Sequence, residues 1–241
     1  MTLNSKSRHV VLVVGNTGSG VSSTISLIAG FPGKNSSPDA QRRTRKAKLY
    51  STEIDHTDIN GVVSRNRSHP ISLYEVPGFD GSSHDVQLLK YIRYLHKSVG
   101  IDLVLYCIRH PRRFLPDTSR SLREALQDVR FAAIVTGLEM ERRPMQGWWT
   151  RRSEQGADGS NGAALQRVLR VSFDDHACVT TLSEKDTALN PRLQKLRKES
   201  QLQLWALISM HCSEHEKALG SGIPCERYMA ALNIRTAASL H

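Results

Sequence analysis

The sequence predicts an α/β fold: a three-layer, doubly wound, mostly parallel sheet covered by helices on both faces. Two observations predict it. Apolar runs of strand length recur along the chain, most clearly at residues 9–14, 101–108 and 131–135, and segments with helical spacing lie between them. A glycine-rich turn at residues 15–20 joins the first strand directly to a helix. Strands that alternate with helices form a mostly parallel sheet, because each crossover returns the chain in the same direction.

The pattern of apolar residues predicts the elements of the first half. The run at 9–14 is rich in valine, which is typical of a strand buried on both faces. Apolar residues at 21, 25 and 28 predict a helix that ends at Gly30. Residues 32–48 are polar and basic and predict a surface loop. Two weak strands, a stronger strand and a helix are then predicted over residues 49–54, 62–63, 71–76 and 86–95.

The second half continues the alternation. Strands are predicted over 101–108, 131–135 and 177–180, and helices begin at Pro116 and cover 163–171 and 193–211. We therefore expect one domain over residues 9–212, preceded by a polar extension over 1–8 and followed by a tail over 213–241.

The charge of the chain favours anionic partners. Lys and Arg number 33 against 23 Asp and Glu, for a net charge of +10. The basic segments contain few aromatic residues, so nucleic acid is the less favoured partner. No apolar run approaches the roughly 18 residues of a membrane span, so no transmembrane segment is predicted. The polar first nine residues lack the apolar core of a signal peptide, and we expect a cytoplasmic location.

The turn after the first strand has the pattern of a phosphate-binding loop. Its residues match G-x-x-x-x-G-K-[ST] except at the lysine. Glycines let backbone N–H groups converge on one anion, and the helix dipole reinforces them. Ser22 is positioned to bind magnesium, with Ser23 as a second hydroxyl beside it. The predicted nucleotide-binding residues here are Gly15, Asn16, Thr17, Gly18, Ser19, Gly20, Val21, Ser22 and Ser23.

Val21 stands where the pattern has lysine. The lysine normally places a positive charge on the β- and γ-phosphates. Its loss removes about 1.5–3 kcal/mol of net binding free energy, or one to two powers of ten in affinity. We expect a basic residue from the following loop to substitute, with Arg43, Arg45 and Lys46 as the candidates.

A second motif ends the strand at 71–76. Glu75 is followed three residues later by Gly78, where GTPases usually carry Asp-x-x-Gly. The carboxylate is expected to reach magnesium through water and the Gly78 N–H to meet the γ-phosphate. Thr44, in the basic loop, is the candidate to complete the metal site with Ser22 and Glu75, and Thr52 and Thr57 are its competitors.

Two further segments are candidates for contacts with the guanine base. Thr136 and Glu139 follow the strand at 131–135, where an Asn/Thr-Lys-x-Asp motif would read guanine. The Glu139 carboxylate can accept hydrogen bonds from guanine N1–H and N2–H. Gly137 stands where the motif has lysine, so the side chain that normally packs on the base is absent. Ala177 lies where a backbone N–H is expected to meet guanine O6.

Together, these segments resemble those of the P-loop GTPase superfamily, on the AIG1/septin-like side that is related to translation-factor GTPases. The resemblance is closer to the fungal G domain-containing proteins. The resemblance is carried by GNTGSGVSSTISLIAG, EVPGFDG, GIDLVLYCIR, AAIVTGLEMERRPMQGWW and DHACVT, within residues 15–180. It implies a Ras-like fold, binding of GTP or GDP and magnesium dependence, and it is compatible with hydrolysis of GTP and with a protein effector as partner. The departures at Val21, Glu75 and Gly137 bear on hydrolysis and on guanine selectivity.

Two functions from different classes follow. The first is a guanine-nucleotide switch with slow hydrolysis; no residue is assigned to catalysis, although His84 lies near the second motif. The second is a relative without nucleotide that serves as a protein-interaction module, which Val21 favours. RNA binding through the basic surface and an adenine-nucleotide enzyme are the weaker alternatives.

Overall fold

Six strands form one mixed sheet in the described part of the chain. The computed structural model describes residues 8–30, 47–57, 62–110, 115–141, 143–153 and 159–218. Strands β1 to β6 cover His9–Gly15, Lys48–Thr57, Val63–Glu75, Leu103–Arg109, Arg130–Thr136 and Asp175–Cys178. Their order is β2-β3-β1-β4-β5-β6. Every neighbouring pair among these six is parallel except β2 and β3, so the predicted mostly parallel sheet is confirmed.

Helices cover both faces of the sheet, which confirms the three layers. Helices α1 to α6 cover Val21–Ala29, His84–Val99, Pro116–Ala125, Asn161–Leu169, Glu184–Thr187 and Pro191–Ala218. Side chains alternate along β1: Leu12 and Val14 pack with α2, α3 and α4, whereas Val11 and Val13 pack with α1 and α6. All seven residues of β1 are buried, as the valine-rich run predicts.

Helix α6 holds the end of α1 in place. The Gln201 amide nitrogen Nε2 and the Trp205 indole Nε1 donate to the carbonyl oxygens of Leu27 and Ile28, at 2.8 and 2.9 Å. Gly30 follows at φ 69°, as the predicted helix stop. The last carbonyls of a helix have no partner within it, so these side chains satisfy them. This contact therefore anchors the helix that begins at the glycine-rich loop.

Some element boundaries differ from those predicted. β6 ends at Cys178, two residues earlier than the predicted strand at 177–180, because the Thr180 N–H donates to Ser200 Oγ on α6 instead of to a neighbouring strand. β3 begins at Val63, well before residue 71, because its polar first half pairs with β2 at the sheet edge. The short helix α5 is missing from the prediction, although Ser183 and Asp186 form a capping box at its start.

None of the described helices combines the length and the apolar character needed to cross a membrane.

Candidate functional site

The glycine-rich loop occupies the carboxyl end of β1, between this central strand and α1. Gly18 and Gly20 have φ of 78° and 94°, in the left-handed region that glycine adopts without strain. Gly15 is needed for a different reason: a Cβ there would overlap the Cys107 carbonyl oxygen and lie 2.5 Å from Ser19 Oγ. Each of the three glycines is therefore required by the path of the backbone.

Two backbone amides of the loop donate hydrogen bonds to carbonyl oxygens of the protein itself. The Thr17 N–H donates to the Phe79 carbonyl oxygen at 2.8 Å, and the Ser19 N–H donates to the Asn16 carbonyl oxygen at 2.9 Å. Asn16 also forms a parallel bridge with Phe79, which extends the pairing of β1 and β3 into the loop. These contacts fix the loop before any ligand is bound.

The other amides of the loop and of the first helical turn have no acceptor among the described residues. No described residue accepts a hydrogen bond from the backbone N–H groups of Gly18, Gly20, Val21, Ser22 and Ser23. The orphan donors of a helix start and the positive end of its dipole favour an anion at this place. The loop therefore presents several backbone donors that an anion such as a phosphate group could satisfy at once.

The position of the missing lysine is apolar and buried. Val21 is 9% exposed and belongs to the apolar cluster formed by α1, α6 and one face of the sheet. The neighbouring Ser22 is exposed. The helix start therefore offers backbone donors and a hydroxyl, with no side-chain cation at position 21.

A buried carboxylate lies beside the loop at the end of β3. Glu75 is 1% exposed, and its Oε1 accepts a hydrogen bond from Ser22 Oγ. Its Oε2 accepts from the Tyr50 hydroxyl at 2.7 Å and lies 3.6 Å from Lys48 Nζ. Burial and the hydrogen bond to Glu75 raise the pKa of Tyr50, so the phenol stays protonated and acts as the hydrogen-bond donor. Among the described residues, the carboxylate thus accepts hydrogen bonds from Ser22 and Tyr50 and forms an ion pair with Lys48 beside the glycine-rich loop.

Two of the three predicted magnesium ligands, Ser22 and Glu75, meet, and they fit magnesium held partly through water. Ser22 is exposed and its hydrogen points to Glu75, which leaves its oxygen lone pairs for a cation. Among the described residues, no group of three His, Cys, Asp or Glu is arranged to hold a metal. Magnesium here would depend on Ser22, on water bonded to Glu75 and on the phosphates, as this ion commonly does. Thr44 lies outside the described residues.

The segment after β3 is packed onto the phosphate loop. A Cβ at Gly78 would lie 2.8 Å from both the N and the Cα of Thr17. Thr17 Oγ1 donates to the Gly78 carbonyl oxygen at 3.3 Å, and the Phe79 N–H donates to the Gly15 carbonyl oxygen at 3.0 Å. Gly78 is therefore in contact with the loop. His84 is exposed at the start of α2, with Nδ1 3.3 Å from Ser82 Oγ.

The end of β5 is tied to the same loop. Thr136 is 1% exposed, and its Oγ1 donates to the Ser19 carbonyl oxygen at 2.9 Å. The hydroxyl thus positions the loop. Gly137 follows at φ 83°, and a Cβ there would lie 2.6 Å from the His110 carbonyl oxygen. This backbone disfavours the lysine that position 137 would carry in a standard guanine-reading motif.

Glu139 has an oxygen that the described residues leave unsatisfied. Its Oε2 is buried and has no hydrogen-bond partner among them. Buried polar atoms are nearly always hydrogen-bonded, so this carboxylate oxygen is left to accept from a water molecule or from a ligand. The N1–H and N2–H groups of guanine are donors of this kind.

Ala177, the predicted partner of guanine O6, lies inside β6 and one residue before its end. It is in register with Ile134 and its side chain belongs to the buried core. The segment that reaches the phosphate loop comes later: a Cβ at Gly20 would lie 3.3 Å from Thr181 Oγ1. The predicted strand ends at residue 180, two residues after the observed end of β6, and the two adjacent threonines that follow the apolar run are the sequence signal for Thr181.

Two further residues of the site, Lys48 and Tyr50, are absent from the sequence prediction. The antiparallel register of β2 against β3 pairs Lys48 with Glu75 and brings both side chains to that carboxylate. No spacing in the sequence indicates this register. The basic residues predicted to replace the lysine, Arg43, Arg45 and Lys46, lie outside the described residues.

Comparisons with known proteins give weak matches. No protein-family model matches the chain. A curated relative, the enoyl-[acyl-carrier-protein] reductase [NADH] of Colwellia psychrerythraea strain 34H, is 24% identical over 172 residues, covering 68% of this chain and 39% of the relative. The chain thus spans well under half the length of that relative. A solved structure of Methanosarcina barkeri Roco2 RocCORdC bound to GDP aligns with a TM-score of 0.41 at 12% identity, covering 80% of this chain and 48% of the other. Neither match assigns the chain to a family.

Proposed function

We propose that this chain binds guanine nucleotides with magnesium through a P-loop G domain, related to AIG1/septin-like GTPases and the fungal G domain-containing proteins. The observation that carries the proposal is the row of unused amides in the glycine-shaped loop between β1 and α1. A polyphosphate satisfies several such donors at once, and the helix dipole adds to the attraction.

The phosphates would lie over the loop amides, with the γ-phosphate next to Gly78. Support comes from the contact of Gly78 with Thr17, which places the segment after β3 beside the loop. Ser22 would bind magnesium directly and Glu75 through water, since the two side chains are already hydrogen-bonded to each other. Thr44 remains a proposal for the triphosphate-bound state.

Guanine would lie beside Glu139, whose buried Oε2 would accept from the base. Because Ala177 lies within β6, the donor to guanine O6 would come from the backbone around Thr181, whose side chain borders the loop, rather than from the Ala177 N–H. Among the described residues, the Thr181 N–H has no hydrogen-bond acceptor.

Hydrolysis of GTP would be slow. Transition-state charge on the phosphates is normally stabilised by the lysine that Val21 replaces, and preorganised charge is a major source of catalysis. The alternative is a chain that works without nucleotide as a protein-interaction module, with an effector protein as its partner. The burial of Val21 in the apolar cluster favours this alternative.

Isothermal titration of the purified chain with GTP, GDP and ATP, each with and without magnesium, separates the two functions. We expect saturable micromolar binding of GTP and GDP that is tighter with magnesium and weaker for ATP. Heat changes no larger than those of dilution, for every nucleotide, would favour the interaction module. Phosphate release under single-turnover conditions then reports hydrolysis.

Substitution Glu139→Gln tests the base contact. We expect affinity for GTP to fall about 10- to 100-fold, since two charge-assisted hydrogen bonds become one neutral one. ATP affinity should stay unchanged, and so should the unfolding midpoint, because the free protein offers Oε2 no partner in the described residues. Glu124→Gln on the exposed face of α3 is the matched control. Equal effects of the two substitutions on GTP binding would remove Glu139 from the site.

A further inference from the structure

We propose that Lys48 supplies the ammonium group that position 21 lacks, and that it reaches the nucleotide phosphates from β2 rather than from the phosphate loop. The inference rests on the proposed function, and it names the residue that recognises the phosphate charge.

Strand register brings Lys48 to the phosphate edge of the sheet. Lys48 is the first residue of β2 and pairs with Glu75, the last residue of β3. Glu75 is the carboxylate that also accepts from Ser22 in the first turn of α1. A single carboxylate group therefore separates the lysine from the helix start where the unused amides converge.

The ammonium group is held near the site without being locked there. Lys48 Nζ lies 3.6 Å from Glu75 Oε2, and the side chain is 41% exposed, whereas the Glu75 side chain is 1% exposed. A distance of 3.6 Å is longer than a normal charge-assisted hydrogen bond. The lysine thus has room to turn toward an anion while Glu75 keeps the hydroxyls of Ser22 and Tyr50.

The charges at the site favour this arrangement. A buried carboxylate beside a phosphate repels it, and the proposed magnesium ion offsets only part of the combined negative charge, so a side-chain cation adds to binding. At position 21 the apolar side chain provides none. Lys48 bridging Glu75 and the phosphates would offset that repulsion and stabilise the bound anion, which is the role of the missing lysine.

The test compares Lys48→Gln with Lys195→Gln, which removes the same charge from an exposed pair on α6. Affinities for GTP, GDP and guanosine are measured by titration. We expect Lys48→Gln to weaken GTP and GDP binding about 10- to 100-fold and to leave guanosine binding unchanged. Lys195→Gln should bind all three as the unsubstituted chain does. Lys48→Arg should keep most of the affinity, and the double variant Val21→Lys/Lys48→Gln should regain it.

The outcomes distinguish this inference from the proposed function. Binding of GTP by the unsubstituted chain together with equal affinities for Lys48→Gln and Lys195→Gln would overturn the role of Lys48 and leave nucleotide binding intact. Equal losses for GTP and guanosine would also overturn it, because the lysine would then act on the fold rather than on phosphate. No binding of any nucleotide by the unsubstituted chain would overturn both. Thermal unfolding of each variant checks that it is folded.

Discussion

The substitution Val21→Lys is expected to tighten GTP binding about 10- to 100-fold. An ammonium group at this position meets the β- and γ-phosphates, and a charge-assisted contact contributes about 1.5–3 kcal/mol net. The gain in GTP affinity should be near 10-fold when Lys48 is present and larger in the Lys48→Gln background. The free protein should lose about 1–2 kcal/mol of stability, because position 21 is 9% exposed and packs in an apolar cluster.

The control for this substitution is Val21→Met, which enlarges the side chain without adding charge. Titration with GTP and GDP measures the affinities, and urea unfolding of the free chain measures the stability. We expect Val21→Met to bind no more tightly than the unsubstituted chain. Equal affinities for the lysine and methionine variants would show that position 21 does not face phosphate.

The substitution Gly15→Ala is expected to lower the free energy of unfolding by about 2–3 kcal/mol and to abolish measurable nucleotide binding. The added Cβ would overlap the Cys107 carbonyl oxygen and lie 2.5 Å from Ser19 Oγ. The carbonyl belongs to β4 and the hydroxyl to the loop, so the strands or the loop must shift, which is the cost of overpacking a filled interior. A displaced loop no longer aims its amides at one point.

Gly147→Ala is the matched control, since a Cβ at that position meets no atom within 4 Å. It should change stability by less than about 0.5 kcal/mol and leave binding unchanged. Urea unfolding followed by tryptophan fluorescence gives the free energies. Full GTP affinity in Gly15→Ala would contradict the geometry described for the loop.

Local sequence pattern was enough to predict most of the fold. The apolar run at residues 9–14 identifies a strand buried on both faces, and the spacing from Val21 to Gly30 identifies α1 and its end. These features depend on neighbours in the chain. The end of β6 was placed two residues late because Thr180 is β-branched and follows an apolar run, while its N–H bonds to Ser200 Oγ on a helix far along the sequence.

In the candidate site, too, some residues could be predicted from local sequence and others could not. The loop glycines, Ser22 and Glu75 could be found by motif, because phosphate binding needs them at a set spacing next to a strand end. Lys48 and Tyr50 could not, since their place beside Glu75 depends on the antiparallel register of β2 and β3. The role of Thr136 as an anchor of the loop likewise requires knowing that β5 ends next to Ser19.

The most direct test of the central claim is an amide ¹H–¹⁵N spectrum of the chain titrated with GDP and magnesium. The account predicts large shifts for the amides that have no acceptor in the described residues, those of Gly18, Gly20, Val21, Ser22 and Ser23. Smaller shifts are expected for Thr17 and Ser19, whose N–H groups already donate to backbone carbonyls. Unchanged resonances for the five amides at saturating GDP would contradict it.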